Sequence, residues 1–148
     1  METTKQEITI ETIVKSAVAK VWDYWTKPGH IVKWNHASDD WHTTHAENDL
    51  REGGKFSSRM EAKDGSFGFD FGGVYNKVKE NELIEYKIDD GRKVKITFTG
   101  NGIETKIVET FEAESSNSIE MQRSGWQSIL DNFKKYTETI NWSYRINQ

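Results

Sequence analysis

The feature that most constrains this chain is a change of hydrophobic period near residue 117. Before it, apolar side chains alternate in short runs; after it they recur at Trp126, Ile129, Leu130, Phe133 and Tyr136, the spacing of one helix face. Asn117, with Glu120 three residues later, predicts the start of that helix. Some twenty residues at ~1.5 Å each span ~30 Å, enough to lie across a whole meander of five- or six-residue strands. A single long helix with one apolar stripe has to be covered by a sheet that curves around it.

The runs upstream supply such a sheet. Ile8, Ile10 and Ile13-Val14 form a first strand ending at Lys15-Ser16, with Ser16 placed to cap the next helix. Val18, Val21, Trp22 and Trp25 predict that helix over residues 17–26, and Pro28 suits the first turn of a second short helix carrying Ile31 and Trp34. Residues 35–48 are polar except for Trp41 and read as a loop. Phe56, Ser58 and Met60 alternate, Lys63-Asp64-Gly65 marks a hairpin, and Phe67, Phe69 and Phe71 alternate before Gly72-Gly73, where a bulge is expected. Further strands are predicted at 74–78, 83–88, 94–98 and 103–113, with turns at Glu80-Asn81, Asp89-Asp90-Gly91 and Gly100-Asn101-Gly102. The expected architecture is α+β: an antiparallel sheet wrapped around a carboxy-terminal helix, with two short helices after the first strand, a helix-grip layout. The chain has 148 residues, one proline and no repeat, so residues 1–148 read as a single domain.

Composition removes several functions. The chain has no cysteine, hence no disulfide, thiolate nucleophile or cysteine-bound zinc or iron–sulfur centre. No apolar run approaches the ~18 residues of a membrane span and no signal core follows Met1, so a soluble cytoplasmic protein is expected. With a net charge of −4 and no dense basic block, nucleic acid is not an expected partner. Hydrophobic residues make up only 34% of the chain, yet six Trp, seven Phe and five Tyr are present. These rings supply the order that the sparse aliphatics would not.

Several runs in order resemble a known family. Val21-Trp22, Trp25-Thr26-Lys27-Pro28, Trp34 and residues 49–56, Asp-Leu-Arg-Glu-Gly-Gly-Lys-Phe, are similar to the first half of the domain named for the activator of the ninety-kilodalton heat-shock protein ATPase. Phe71-Gly72-Gly73-Val74-Tyr75, Thr105, and Gly125-Trp126 with Ile129-Leu130 and Phe133 fall where its second-half motifs fall. The resemblance covers roughly residues 7–138. It implies membership of the START-like, Bet v-like, polyketide-cyclase-like (SRPBCC) superfamily, with a cavity between sheet and helix used for apolar molecules. The eukaryotic activator carries a separate amino-terminal domain not expected here, which weighs against a chaperone partner.

The candidate walls of such a cavity are Trp25, Trp34, Phe56, Phe69, Phe71, Tyr75, Tyr86, Trp126, Leu130 and Phe133, with Trp41 as a lid. Taken singly, each ring is better explained as core; taken together they point to a pocket for a flat hydrophobic ligand. Glu109 shares strand parity with Ile107 and Phe111 and is expected to face the apolar side, as a polar anchor or weak candidate catalytic base, unless a bulge turns it out or Arg59 or Arg123 pairs with it. Gln122, Asp70 and Arg59 are ambiguous, with Gln122 counted among the ligand-binding candidates. His30, His36, His42 and His45, with Asp39 and Asp40 between them, lack the spacing of a helical metal pair, so no metal and no cofactor are expected. Gly53-Gly54 reads as a turn and not as a phosphate loop.

These residues predict a binding protein for a hydrophobic or aromatic small molecule, with catalysis disfavoured. A cyclase or hydrolase in the same cavity and a chaperone-like interaction module are the alternatives. Beyond the family match, Ile140, Trp142, Tyr144 and Ile146 alternate within residues 139–148. That extension is expected to add an edge strand, pack on the helix, or exchange within a homodimer.

Overall fold

The computed structural model describes residues 6–146, with side chains up to Thr139. Seven strands and three helices follow in the order β1 (Glu7–Val14), α1 (Val18–Thr26), α2 (Pro28–Trp34), β2 (Trp41–Asn48), β3 (Lys55–Ala62), β4 (Gly68–Lys79), β5 (Leu83–Ile88), β6 (Lys93–Gly100), β7 (Thr105–Glu112) and α3 (Ile119–Ile146). All neighbouring strands pair antiparallel, in the spatial order β1-β7-β6-β5-β4-β3-β2. The first two strands thus occupy opposite edges of one curled sheet, and α1 and α2 carry the chain from one edge to the other. The concave face holds α3, giving the α+β helix-grip fold. Among the described residues no helix is long and apolar enough to cross a membrane.

The sheet's inner face follows period-two alternation. Ile8, Ile10 and Val14 of β1, Ile96 and Phe98 of β6 and Ile107 and Phe111 of β7 are buried, and Leu130 and Phe133 of α3 close over them. Thr105 is fully buried and its hydroxyl donates to the Ser16 carbonyl at 2.8 Å, tying the start of β7 to the corner where β1 turns into α1.

Local expectations differ from the structure in several places. Residues 41–48, expected as loop, form edge strand β2. A register shift between Thr43 and His45 puts the buried positions Thr43 and Ala46 three apart, which hides the alternation. Gly72-Gly73 is not bulged. The β3–β4 ladder runs through both, a Cβ on Gly73 would collide with the Lys87 carbonyl oxygen, and the irregularity lies between Tyr75 and Lys77 within one continuous strand, residues 68–79. Ser16 does not cap α1. The cap position is Ala17, and the buried Ser16 hydroxyl has no hydrogen-bond partner among the described residues.

The start of α3 also shifts. Ser118, not Asn117, receives the Met121 amide on its hydroxyl at 3.1 Å, while the Asn117 carbonyl accepts from the Gln122 side chain at 2.8 Å. Ile103, expected inside the last strand, is 79% exposed in the turn before β7. The extension is not an edge strand: the span Ile119–Ile146 continues α3 through it, and the side chains of Ile140, Trp142, Tyr144 and Ile146 lie outside the described residues.

Candidate functional site

Aliphatic packing gives way to rings at the β2–β5 end of the sheet, and a pocket of about 490 Å³ opens between sheet, α2 and α3. Trp25 and Trp34 form one wall, their rings 5.0 Å apart and each edge-on to Phe133. They hold this position because α1 and α2 meet at Pro28 and the Trp34 indole donates to the Tyr24 carbonyl at 3.0 Å. Phe56 forms the opposite wall, 5.1 Å from Tyr75 and 4.7 Å from Tyr86. The roof is Trp126 of α3, stacked flat on Phe111 at 3.8 Å with Phe71 edge-on to it. Trp41 and Phe69 lie at the mouth beside Phe67, which is 63% exposed. Trp41 is thus the first residue of a strand at the rim, not part of a loop lid.

Polar groups are few, and Tyr75 and Arg92 are engaged by neighbours. The Tyr75 hydroxyl donates to Asn48 Oδ1 at 2.6 Å, and burial pushes its pKa up. Arg92 reaches the pocket from the β5–β6 turn, donating through Nε to Asp90 Oδ2 at 2.9 Å and through Nη1 to the Glu112 carbonyl at 3.5 Å. Glu109 faces inward, opposite Ile10 on β1 and Ile96 on β6, and is only 6% exposed. Neither Arg59 nor Arg123 pairs with it among the described residues: Arg59 binds Glu61 at 3.0 Å and Asp70 at 3.6 Å, away from the pocket. Unpartnered in an apolar surround, the Glu109 carboxyl is pushed up to about 8 by burial. Tyr86, 8% exposed, is raised by burial first and by the Glu109 charge second.

The pocket brings together Trp25, Trp34, Trp41, Phe56, Phe69, Phe71, Tyr75, Tyr86, Glu109 and Trp126 from the sequence candidates, but not Leu130, Phe133 or Gln122. Leu130 and Phe133, at 1% and 0% exposure, are filled core. Gln122 is a fastener: its amide nitrogen donates to the Glu114 and Asn117 carbonyls and its oxygen accepts from the Glu114 amide, fixing the loop before α3. The four histidines do not converge. His30 stacks on Tyr24 at 4.0 Å and shares a 2.7 Å hydrogen bond with the Tyr136 hydroxyl, His45 sits at exposed β2 beside Glu47, and no group of three potential ligands is assembled among the described residues.

Ten lining residues were not among the sequence candidates, Arg92 and Gly125 being the two that differ most from the apolar walls. Arg92 carries no local signal beyond its turn. Gly125 does carry one, because a glycine inside a helix costs about 1 kcal/mol relative to alanine and needs a reason. Its position meets nothing within 4 Å of an added Cβ, so crowding is not that reason; the missing side chain leaves space in the pocket wall.

Proteins similar in sequence and fold are found among solved structures. A protein from Cytophaga hutchinsonii is 57% identical, with 90% of this chain and 92% of that one aligned at a TM-score of 0.78. The AHSA1-like protein from Aeromonas hydrophila is 43% identical, with 92% and 94% covered at a TM-score of 0.87. The fold extends to a Chromobacterium violaceum protein at 20% identity, with 90% and 98% covered and a TM-score of 0.80. No curated protein matches the chain. Residues 15–138 match the family described as Activator of Hsp90 ATPase homolog 1-like protein, and the chain belongs to that family.

Proposed function

We propose that this domain binds a flat, largely apolar small molecule in the pocket between its sheet and α3. The observation that carries the reading is the ring-lined space of about 490 Å³, a size within the ordinary range of small-molecule sites. Stiff rings on three sides suit a planar guest, which would complete stacking contacts that the walls leave open. Binding is favoured over catalysis because Glu109 has no histidine or second acid beside it among the lining residues, and no nucleophile–base pair lines the space.

Native mass spectrometry of the purified protein, followed by a thermal-shift screen with aromatic polyketides, flavonoids and fatty acids, tests this. A ligand at a hundredfold excess over its Kd adds about 2.7 kcal/mol of stability. A saturable one-to-one shift with a planar compound supports the pocket; no ligand mass and no shift across the panel removes it.

A second reading has one observation in its favour. Trp41, Phe67 and Phe69 form a ring cluster at the rim, with Phe67 63% and Phe69 41% exposed, and such a cluster suits contact with a partner protein. Under this reading Phe67→Ser abolishes capture of a chaperone while leaving small-molecule binding intact.

A further inference from the structure

Several polar groups in the pocket have no side-chain hydrogen bond among the described residues, Ser58, Tyr86 and Glu109 being the buried ones, and of these only Tyr86 and Glu109 can bring an acidic O–H to a guest. The Tyr75 hydroxyl is used by Asn48, and Arg92 is used by Asp90 and Glu112. Tyr86 and Glu109, in contrast, are both more than nine-tenths buried, both line the pocket, and neither has a hydrogen-bond partner among the described residues. Both residues line the pocket space, so a guest oxygen there can supply the partner that the chain does not.

Their placement suits this. Across β5, β6 and β7 the register aligns Tyr86 with Val94 and Phe111, and Ile84 with Ile96 and Glu109. Tyr86 and Glu109 therefore stand on the same inner face, two strands apart and two residues offset, and both line the one pocket. A tyrosine and a protonated carboxylic acid each offer one O–H, and one carbonyl or phenolic oxygen has lone pairs for both. The same combination, held in an apolar site, is a known means of gripping a carbonyl oxygen that carries partial negative charge.

Resting on the binding function proposed above, we infer that Tyr86 and Glu109 form a two-donor subsite for a single ligand oxygen. The pocket then selects planar molecules bearing a ketone, quinone or phenolic oxygen over the same frame without it. The groups facing Glu109 are consistent with a neutral, donating acid. Tyr75 and Tyr86 approach from β4 and β5, and Arg92 at the β5–β6 turn is held by Asp90. The register partners of Glu109 on β1 and β6 are Ile10 and Ile96, and α3 lines the same pocket with Gly125, Trp126 and Ile129, none of them charged.

The test compares fluorenone with fluorene, which share a tricyclic frame and differ in one C=O, by titration calorimetry on the full chain. The wild type is expected to prefer fluorenone about tenfold, two modest hydrogen bonds' worth. The carbonyl stretch of bound fluorenone should fall below its position in a hydrocarbon solvent. Tyr86→Phe, which removes only the hydroxyl, should cut the preference to about threefold, and Glu109→Leu should do the same. Above about pH 8, where Glu109 ionises, the preference should shrink. Equal binding of both compounds by the wild type, with the carbonyl band at its hydrocarbon position, would overturn the donor pair and leave the pocket standing. Binding of neither compound would overturn the pocket itself and the donor pair with it.

Discussion

The two halves of the sheet solve the same packing problem differently. Under β1, β7 and β6, β-branched aliphatics dominate and pack with Leu130 and Phe133, with Ile8, Ile107, Phe111 and Phe133 at zero exposure; only Glu109 of these strands borders the pocket. Under β3, β4 and β5 the inward positions are Phe56, Ser58, Met60, Phe71, Tyr75, Ile84, Tyr86 and Ile88, richer in rings, and a pocket is left. Compact β-branched side chains fill the space between the rings of the first half, whereas in the second half large rings meet edge-on with little between them and leave a void. One half is therefore built for stability and the other for a guest. Within α3, Leu130 and Phe133 are filled core, while Gly125, Trp126 and Ile129 line the pocket.

Truncation should break that contrast most visibly. Phe133→Ala removes a fully buried ring from the filled half and is expected to cost about 3–5 kcal/mol by chemical denaturation. Phe71→Ala, on a wall already bordering the pocket, should cost well under half as much. Equal losses would mean that the two halves are packed alike.

Next in size is the pH dependence set by Glu109. Its folded pKa of about 8 stands above its ordinary value of 4.5, so its contribution to stability is fully present below pH 4.5 and is lost as pH rises through 8. At ~1.4 kcal/mol per unit, the wild type should lose about 3–5 kcal/mol more than Glu109→Gln between pH 4.5 and 9. Parallel stability curves for the two proteins would place Glu109 in contact with water.

Smaller, and opposite in sign, is Gly125→Ala. With open space around its position it should raise stability by up to about 1 kcal/mol while weakening planar ligands, since the methyl takes room from the pocket. A stabilised variant with unchanged affinity would show that the gap serves no guest. Phe67→Ser, at an exposed rim position, should change stability by no more than about 0.5 kcal/mol.

The order of elements was legible because two physical signals are strong in this chain: the switch from period two to a helical stripe near residue 117, and the Gly, Asn and Asp turns between strands. The inward direction of Glu109 followed from its parity with Ile107 and Phe111, both fully buried. Edge strand β2 was hidden because one shifted register breaks alternation, and its outer face is polar, as an edge must be. Within the site, rings could be collected from the sequence but not sorted. Phe133 and Trp126 lie on the same helix at helical spacing, yet Phe133 is closed in by Trp25 and Trp34 while Trp126 borders the pocket, a difference set by the tertiary packing and not by the spacing. Gln122 read as a ligand group because a buried amide looks the same in sequence whether it holds a guest or, as here, three backbone groups of its own chain.

The measurement that tests the central claim most directly is a titration of fluorenone followed through the indole N–H signals in a proton–nitrogen NMR spectrum. Trp25, Trp34, Trp41 and Trp126 line the pocket, whereas Trp22 is buried against Phe98 outside it and serves as an internal control. Saturable, one-to-one shifts of the four pocket indoles with Trp22 unmoved are predicted. Unchanged spectra, or a Trp22 signal that moves as far as the others, would contradict a division of this fold into a filled half and a receiving half.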